Sequence, residues 1–444
     1  MTTSWWEKFT NLTKYPSLVA GLTILLALVS LSIFAVSTIP YQEAIRLWRG
    51  GQELVKVNPK RVPPAWFDWF TRDDLPRTLT ITEQEGTKTV QLTEEGRKKV
   101  KISLPFKYDY DRFPSEINLF TETSVEERIT PTIKWRAPDG EVMTLTENRR
   151  IRGSDTYYIS QDMNLRMELG ETPHKGLLSG ADPSRNEPIK GNYEVIVEGE
   201  VPEGESLEAE LVLYGQVHGL AGTDHKRRNL MIALLWGAPI GLAFGVLGAV
   251  GAYGTTFVLA GIGTWFGGIV DSVFQRLTEL SMILPGLVLY VMVGYFLSRS
   301  LWVLLSMVVL KNIFSAGMKT YRSVYLQEKE SSYIEAAQAY GASNWRIIFR
   351  YLLPRVAPML LPSFVNAIPT FVYLEATLAV IGLGDPVLPT WGKIIYDARV
   401  NDALYMGDYY WMILPAVLLI LTGFGFALIG YTMDRVVNPR LRER

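Results

Sequence analysis

The sequence predicts an α-helical membrane protein of six transmembrane helices, with a large extracytoplasmic β-rich domain inserted between spans 1 and 2. Three observations carry this. Apolar residues make up 48% of the 444, and they are gathered in long uncharged runs rather than spread periodically. Most of the charge falls in one central block. The basic residues outside that block flank the apolar runs as cytoplasmic loops do. These shifts divide the chain into 1–40, a cytoplasmic amino terminus and first span; 41–225, the β-rich domain; and 226–444, a helical core with five more spans.

A formal net charge of −1 gives no support for a nucleic-acid partner. The absence of Cys excludes disulfides, thiolate zinc sites and iron–sulfur clusters.

Ser17–Ile39 carries no charge, and at about 1.5 Å per residue it exceeds the roughly 30 Å hydrocarbon core. Trp5, Trp6, Lys8 and Lys14 precede it as an inside-facing flank. Ala35-Val36-Ser37 resembles a cleavage site, so a signal peptide is the competing reading. The run is longer than a signal core, which favours a retained span.

From Pro40 to about His225 the pattern changes to short segments that alternate apolar and polar residues. They are Arg77–Thr82, Lys88–Leu92, Lys99–Leu104, Ile129–Trp135, Glu141–Leu145, Tyr193–Glu198 and Leu207–Leu213, separated by turns such as Asp139-Gly140 and Pro202-Glu203-Gly204. This is the signature of an antiparallel β domain, a sandwich by preference. Ahead of it, Pro63–Phe70 carries four aromatics, which suit either the headgroup region of a membrane or the underside of the β domain.

Asn229–Val270 is uncharged throughout, and Ile283–Leu297, Leu301–Leu310, Leu352–Leu383 and Trp411–Thr432 are the further apolar runs. Lys319, Arg322, Lys329, Arg346, Arg350 and Arg355 surround the loop Tyr333–Pro354, and Arg435, Arg440, Arg442 and Arg444 follow the last run. By the positive-inside rule that loop and both termini are cytoplasmic. This parity requires a single crossing through Asn229–Val270, with the β domain outside.

Within the basic loop, Ser331–Ser343 reads as a short helix with both ends specified. Ser332 followed by Glu335 has capping-box spacing, Gly341 suits a left-handed cap, and Ser343 is placed to cap the next helix. The Ala-rich body leaves room for another protein to approach, with Tyr333, Ile334 and Tyr340 as apolar anchors. An ordinary cytoplasmic hairpin would look similar. The larger pattern is more specific: Glu335-Ala336-Ala337, then Gly341, then Tyr351-Leu352-Leu353-Pro354.

This pattern resembles the signature loop of binding-protein-dependent ABC importer permeases, departing in Tyr351, where the family has Ile. The resemblance extends over Gly219–Arg444 and is nearest to the second permease of the dipeptide/oligopeptide family. Gly222-Thr223-Asp224, Gly267-Gly268-Ile269-Val270-Asp271 with Arg276, Glu279 and Pro285, Tyr373–Thr377 with Gly382-Leu383-Gly384, Pro389-Thr390-Trp391-Gly392, Asp434 and Asn438-Pro439-Arg440-Leu441 all follow it. Arg227-Arg228-Asn229 departs from the family's Gly-Arg-Asp. Against the family pattern, about Thr255–Trp265 reads as an insertion after the second span, and the β domain is far larger than the short loop typical between spans 1 and 2.

The resemblance implies the type I ABC importer permease fold in the cytoplasmic membrane. It also implies a second homologous permease subunit, two cytoplasmic ATPase subunits and an extracytoplasmic substrate-binding protein. No phosphate-binding Gly-x-x-x-x-Gly-Lys-Ser/Thr loop occurs, so this chain is not expected to be an enzyme or to hold a cofactor; ATP and Mg belong to the partner subunits. Tyr333, Ile334, Glu335, Ala336, Ala337, Tyr340 and Gly341 are the implied ATPase-coupling residues of a loop spanning about 328–354. Switching a pore between 1:99 and 99:1 takes about 5.5 kcal/mol, which a floppy loop would not transmit.

Glu375, a charge within an apolar run, and Pro369, one of four prolines expected to kink its helix, are candidates for the translocation path. Lys311 is expected to snorkel or to pair with a partner. His218, Asp224 and His225 make only a weak metal constellation, and Asp109, Asp111 and Glu116 a weak carboxylate one. Peptides are the implied cargo. Oligosaccharides or metal chelates carried by the same class of permease, and a membrane-anchored receptor or enzyme acting through the β domain, are the alternatives.

Overall fold

Apolar runs become helices and alternating segments become strands, and their contacts divide the chain into two units. One is helical, drawn from Met1–Trp48, Ile232–Leu404 and Met412–Arg444; the other is β-rich, Arg49–Met231 with Tyr405–Trp411. The computed structural model describes residues 15–92, 97–125, 128–147, 149–180, 186–203 and 205–437. Trp5, Trp6, Lys8 and Lys14, Gly204 of the second turn signal, and the carboxyl-terminal Asn438–Arg444 therefore lie outside the described residues.

The chain begins with α1 (Pro16–Thr38), α2 (Tyr41–Arg49), α3 (Gln52–Val57) and a 3-10 turn at Ala65–Phe70. The β-rich unit then adds β1 (Leu79–Ile81), β2 (Thr87–Leu92), β3 (Arg97–Tyr108), β4 (Glu116–Thr123), β5 (Thr132–Arg136), β6 (Val142–Thr146) and β7 (Ser154–Tyr157). Two short helices, α4 (Met163–Leu169) and α5 (Pro173–Ser179), precede β8 (Gly191–Pro202) and β9 (Leu207–Tyr214). The strands form two antiparallel sheets, ordered β1-β9-β4-β7 and β2-β3-β8-β5-β6. Side chains from both, including Ile117, Leu119 and Leu211 against Ile102, Leu104, Trp135 and Val195, make one core. The sandwich follows from alternation, which turns every second residue inward.

β4 and β7 escape the alternation argument. β4 is buried along nearly its whole length, because its second face is covered too. Phe120, Val212 and Tyr214 form a small cluster there with Val55 of α3, so Phe120 among Glu116, Asn118 and Glu122 on that face, and buried Thr121 and Thr123 on the other, blur the alternation.

The division between the two units falls at 48/49 and 231/232. Ala44 and Trp48 of α2 are buried, and Ala44 packs with Trp236, Ile240 and Phe244 in the helical core.

The helical unit continues with α6 (Leu230–Phe266), α7 (Gly268–Ile283), α8 (Gly286–Phe296), α9 (Leu301–Ile313) and α10 (Ala316–Lys329). It ends with α11 (Ser332–Ala339), α12 (Asn344–Leu383), α13 (Trp391–Val400), α14 (Ala403–Met406) and α15 (Tyr409–Val437). Among the described residues four helices, α1, α6, α12 and α15, are long and apolar enough to cross a membrane. Two bent pairs pass the same test together: α7 with α8 (82°) and α9 with α10 (44°). The run Asn229–Val270 is thus one continuous helix through a π turn at Val250–Gly254, and the expected third and fourth spans are each one arm of a bent pair. Pro285, which has no N–H to donate, stands at the sharper break.

The prolines of α12 do not end the helix. It runs on through Pro358, Pro362 and Pro369 as one helix, and the non-helical backbone comes at Gly382 (φ 95°). Pro358 and Pro362 each lie four residues beyond another proline, Pro354 and Pro358, so the missing donors fall on one side of the helix.

Without a hydrophobic drive between helices in lipid, close packing rests on small residues. A Cβ on Gly21 of α1 would stand 2.7 Å from the Gly425 carbonyl of α15, and one on Gly245 of α6 would stand 2.6 Å from Val372 of α12. Gly21→Leu is expected to destabilise the protein by about 1–3 kcal/mol, read as a lower melting temperature in detergent. Leu26→Ala, on the exposed side of the same helix, is expected to leave it unchanged.

Candidate functional site

α11 is a two-turn helix held between α10 and α12. Its start is not the expected capping box. The N-cap is Ser331, and its hydroxyl donates to the Glu328 carbonyl at 2.5 Å, closing the preceding turn instead of capping the helix. Ser332 lies inside the first turn, so Glu335 is not three residues past the cap. Ser343 occupies the N-cap position of α12 without a side-chain cap.

The other end does match the expectation. Gly341 has φ 76°, its N–H reaches the Gln338 carbonyl at 2.9 Å, and the Ala342 N–H reaches Ala337 at 3.0 Å. These two bonds are the Schellman pair, which needs a left-handed residue where glycine stands.

Ile334 and Ala337 turn inward. They join Phe257, Ala260 and Trp265 of α6, Met318, Tyr321 and Tyr325 of α10, and Ile347 and Leu352 at the start of α12 in one core. Ile334, expected to anchor a partner, is used within the chain itself because it falls on the helix face covered by α6 and α10. Tyr333 is half-buried and donates to Glu328 Oε2 at 2.9 Å. Glu335, Ala336 and Gly341 are exposed, and Tyr340 is 92% exposed. The predicted residues therefore divide into a seat (Ile334, Ala337) and an outward face (Glu335, Ala336, Tyr340, Gly341).

Two polar contacts stiffen the seat. Lys329 Nζ donates to the Thr264 and Trp265 carbonyls at 3.0 and 2.9 Å, satisfying the carboxyl end of α6 with a cation, as its dipole favours. Arg322 of α10 grips Asp271 in the first turn of α7 through three contacts of 2.6–3.0 Å. Sequence reasoning noted Asp271 but not this partner, because the two are 51 residues apart.

Glu375 and Pro369 lie on the buried face of α12. Pro369 follows Ile368, which packs against α6, and Glu375 lies beside Thr390 at the start of α13. Away from Glu375, and flanked by Pro369, α12 carries Ser363, Asn366, Thr370, Tyr373 and Thr377 at spacings of three and four, hence on one stripe; all five are partly open to solvent, with Asn366 and Tyr373 set against Gly430 and Gly423 of α15. The exposed faces of α1, α8 and α15 are instead dominated by Val, Leu, Ile, Met and Phe. A period-3.6 count of polar residues along Leu352–Leu383 would have found this stripe. The charge of Glu375 drew attention away from it. Lys311 sits half-buried in the last turn of α9.

The weak constellations are put to other uses. Asp224 is buried in an ion pair with Arg228 at 2.5 Å and accepts the Lys226 and Arg228 N–H groups, while His225 stacks on Trp411. Asp109 pairs with Lys107, Asp111 with Lys190 and Glu116 with Arg227. The Lys190 ammonium and the Asp74 N–H hold the Asp111 carboxyl below the usual carboxylate range.

Replacing Arg322 by Ala and Asp271 by Asn, singly and together, is expected to give a coupling energy of about 0.5–3 kcal/mol, read from thermal unfolding of the four proteins.

Residues 252–443 match the family model described as the binding-protein-dependent transport system inner membrane component; the strands lie ahead of this match. Over 225 residues the chain is 27% identical to an oligopeptide transport system permease protein of Bacillus subtilis, covering 50% of this chain and 72% of that protein. Over 228 residues it is 30% identical to a glutathione transport system permease protein of Pectobacterium atrosepticum, covering 50% of this chain and 73% of that one. Over 227 residues it is 28% identical to a dipeptide transport system permease protein of Alkalihalophilus pseudofirmus, covering 50% and 72%. A chain from inward-facing crystals of the MetNI methionine ABC transporter aligns over 47% of this chain and 96% of its own, with 22% identity and a TM-score of 0.34, a likeness that carries no argument about the fold. On these matches, the chain belongs to the family of binding-protein-dependent transport system inner membrane components.

Proposed function

We propose that this chain is one permease subunit of an ATP-driven peptide importer of the type I fold, forming half of a pore with a second, homologous permease. The observation that carries the drive contact is α11 itself. It is fixed from within by Ile334 and Ala337, closed by Gly341, and presents Glu335, Ala336 and Tyr340 outward. A rigid, small-residue helix of this kind suits the cleft of a cytoplasmic ATPase subunit. Two such ATPases, holding the ATP and Mg, would move it as a lever. The oligopeptide, dipeptide and glutathione permeases among the relatives support peptides as cargo, delivered by an extracytoplasmic binding protein.

In this reading the four long helices and the two bent pairs make six spans. The basic residues around α11 keep that helix and both termini cytoplasmic, in the inner or plasma membrane, and the β-rich unit is extracytoplasmic. Beside Glu375 and Pro369, the polar stripe of α12 is a second candidate face of the path. Thr370 and Thr377 donate to carbonyls of their own helix at 3.2 and 2.7 Å, and Tyr373 to Leu419 of α15 at 3.2 Å. What this stripe would offer a peptide is therefore the Asn366 amide and the lone pairs of the hydroxyl oxygens, in water between two permeases and not in lipid.

In the reconstituted complex, Gly341→Pro and Glu335→Lys are expected to abolish substrate-stimulated ATP hydrolysis while the protein still inserts in the membrane; unchanged stimulation in both would refute the coupling role. Asn366→Leu combined with Thr370→Val is expected to lower peptide uptake while basal ATP hydrolysis persists. Glu375→Gln is expected to act on thermal stability before uptake.

A further inference from the structure

The 3-10 turn Ala65–Phe70 presents Trp69 and Phe70 almost fully to solvent, 84% and 78% exposed, and neighbouring Leu220 is 69% exposed. Tyr405, Met406 and Tyr409 are exposed as well. Side chains of this size leave much apolar area in water, at about 25 cal/mol per Å2, so six of them need an account.

One frame holds all six. The Trp66 indole N–H donates to the Leu220 carbonyl at 2.9 Å, and the Ala65 N–H to Gly219 at 2.8 Å. Arg61 pairs with Asp408 at 2.6 Å, the Phe67 ring meets the Tyr410 ring edge-on at 6.3 Å, and the Tyr410 hydroxyl donates to the Thr223 carbonyl at 2.9 Å. Two segments of this frame run directly into apolar helices. The segment Gly219–Asn229 leads to Leu230, the first residue of α6, and Tyr410 is the second residue of α15. The frame is thus covalently continuous with the first residues of both helices.

We propose that Trp69, Phe70, Leu220, Tyr405, Met406 and Tyr409 form an aromatic collar that inserts in the headgroup region of the bilayer. Trp and Tyr are the side chains this region favours, with an apolar body and one polar tip. The frame contributes Asp68 and Asp408 as well as Arg61, so the attraction is apolar and not polybasic. The proposal rests on the reading of α6 and α15 as membrane spans.

The natural chain has no Cys, so single nitroxide labels test this directly. The full chain carrying Trp69→Cys, Tyr405→Cys, Met163→Cys or Leu26→Cys is placed in phosphatidylcholine vesicles. Collision with oxygen, which enters lipid, is compared with collision with a water-soluble nickel chelate. Labels at 69 and 405 are expected to favour oxygen, as the label at 26 on α1 does, while the label at 163 on the β-rich unit favours nickel. Nickel preference at 69 and 405 with oxygen preference at 26 would overturn the collar and leave the spans standing. Nickel preference at 26 as well would overturn both. Oxygen preference that appears only with anionic phosphatidylglycerol would overturn the apolar account. Shielding from both reagents only when the partner permease and binding protein are added would assign the surface to a protein instead.

Discussion

Ile334 and Ala337 are packed among Phe257, Trp265, Tyr321 and Tyr325, with Ile347 and Leu352 closing the other side. Apolar contact of this kind is non-directional, but in a close-packed cluster it leaves α11 no room to tilt or slide. The remaining features of the loop act on that seat. Lys329 joins the end of α6 to the end of α10, the Schellman bonds end the helix cleanly, and Arg322 ties α10 to α7. Without the apolar seat these polar contacts, half-exposed and modest singly, would hold a loop and not a lever.

The β-rich unit uses a different device where the chain leaves it. Asp224 and Arg228 form an ion pair with almost no exposure, and taking such charges out of water costs several kcal/mol per ion unless hydrogen bonds complete them. Here they do: the Asp224 carboxylate also accepts two backbone N–H groups. Next to it Arg227 reaches Glu116 of β4 and lies over the Tyr214 ring. The dipeptide Arg227-Arg228, which in sequence marks only the return of apolar character, is thus the ionic hinge-pin of this turn, with Arg227 in the left-handed region at φ 61°.

How much of this was legible beforehand depends on the range of the signal. The seven alternating segments each became a strand, because period-2 patterning is local. β4 was hidden by burial on both faces, and β7 is four residues long. At the site, Gly341 was readable because a helix ending in a left-handed residue is written in one position. The N-cap was misplaced by one residue because Ser331 and Ser332 are equivalent in sequence, and only the engagement of Ser331 with Glu328 separates them. Ile334 was read as an outward anchor since its apolar character says that it will be covered, not by what. Glu375 drew attention as a lone charge, yet burial and exposure along α12 are decided by which neighbours the helix meets.

α6 spans 37 residues, close to 55 Å at 1.5 Å per residue, and a π turn interrupts it at Val250–Gly254. Before the turn it meets the middle of α12 through Gly245; after it, Gly261 meets Leu353 at the start of α12 and Tyr325 of α10. A π turn carries one residue more than the regular repeat, and each residue turns a helix by about 100°. The two contact faces are therefore phased by that extra residue. A deletion between the two contacts but outside the turn would swing one face out of alignment with its neighbour, whereas the wide turn is the place where the rod could shed a residue and become regular.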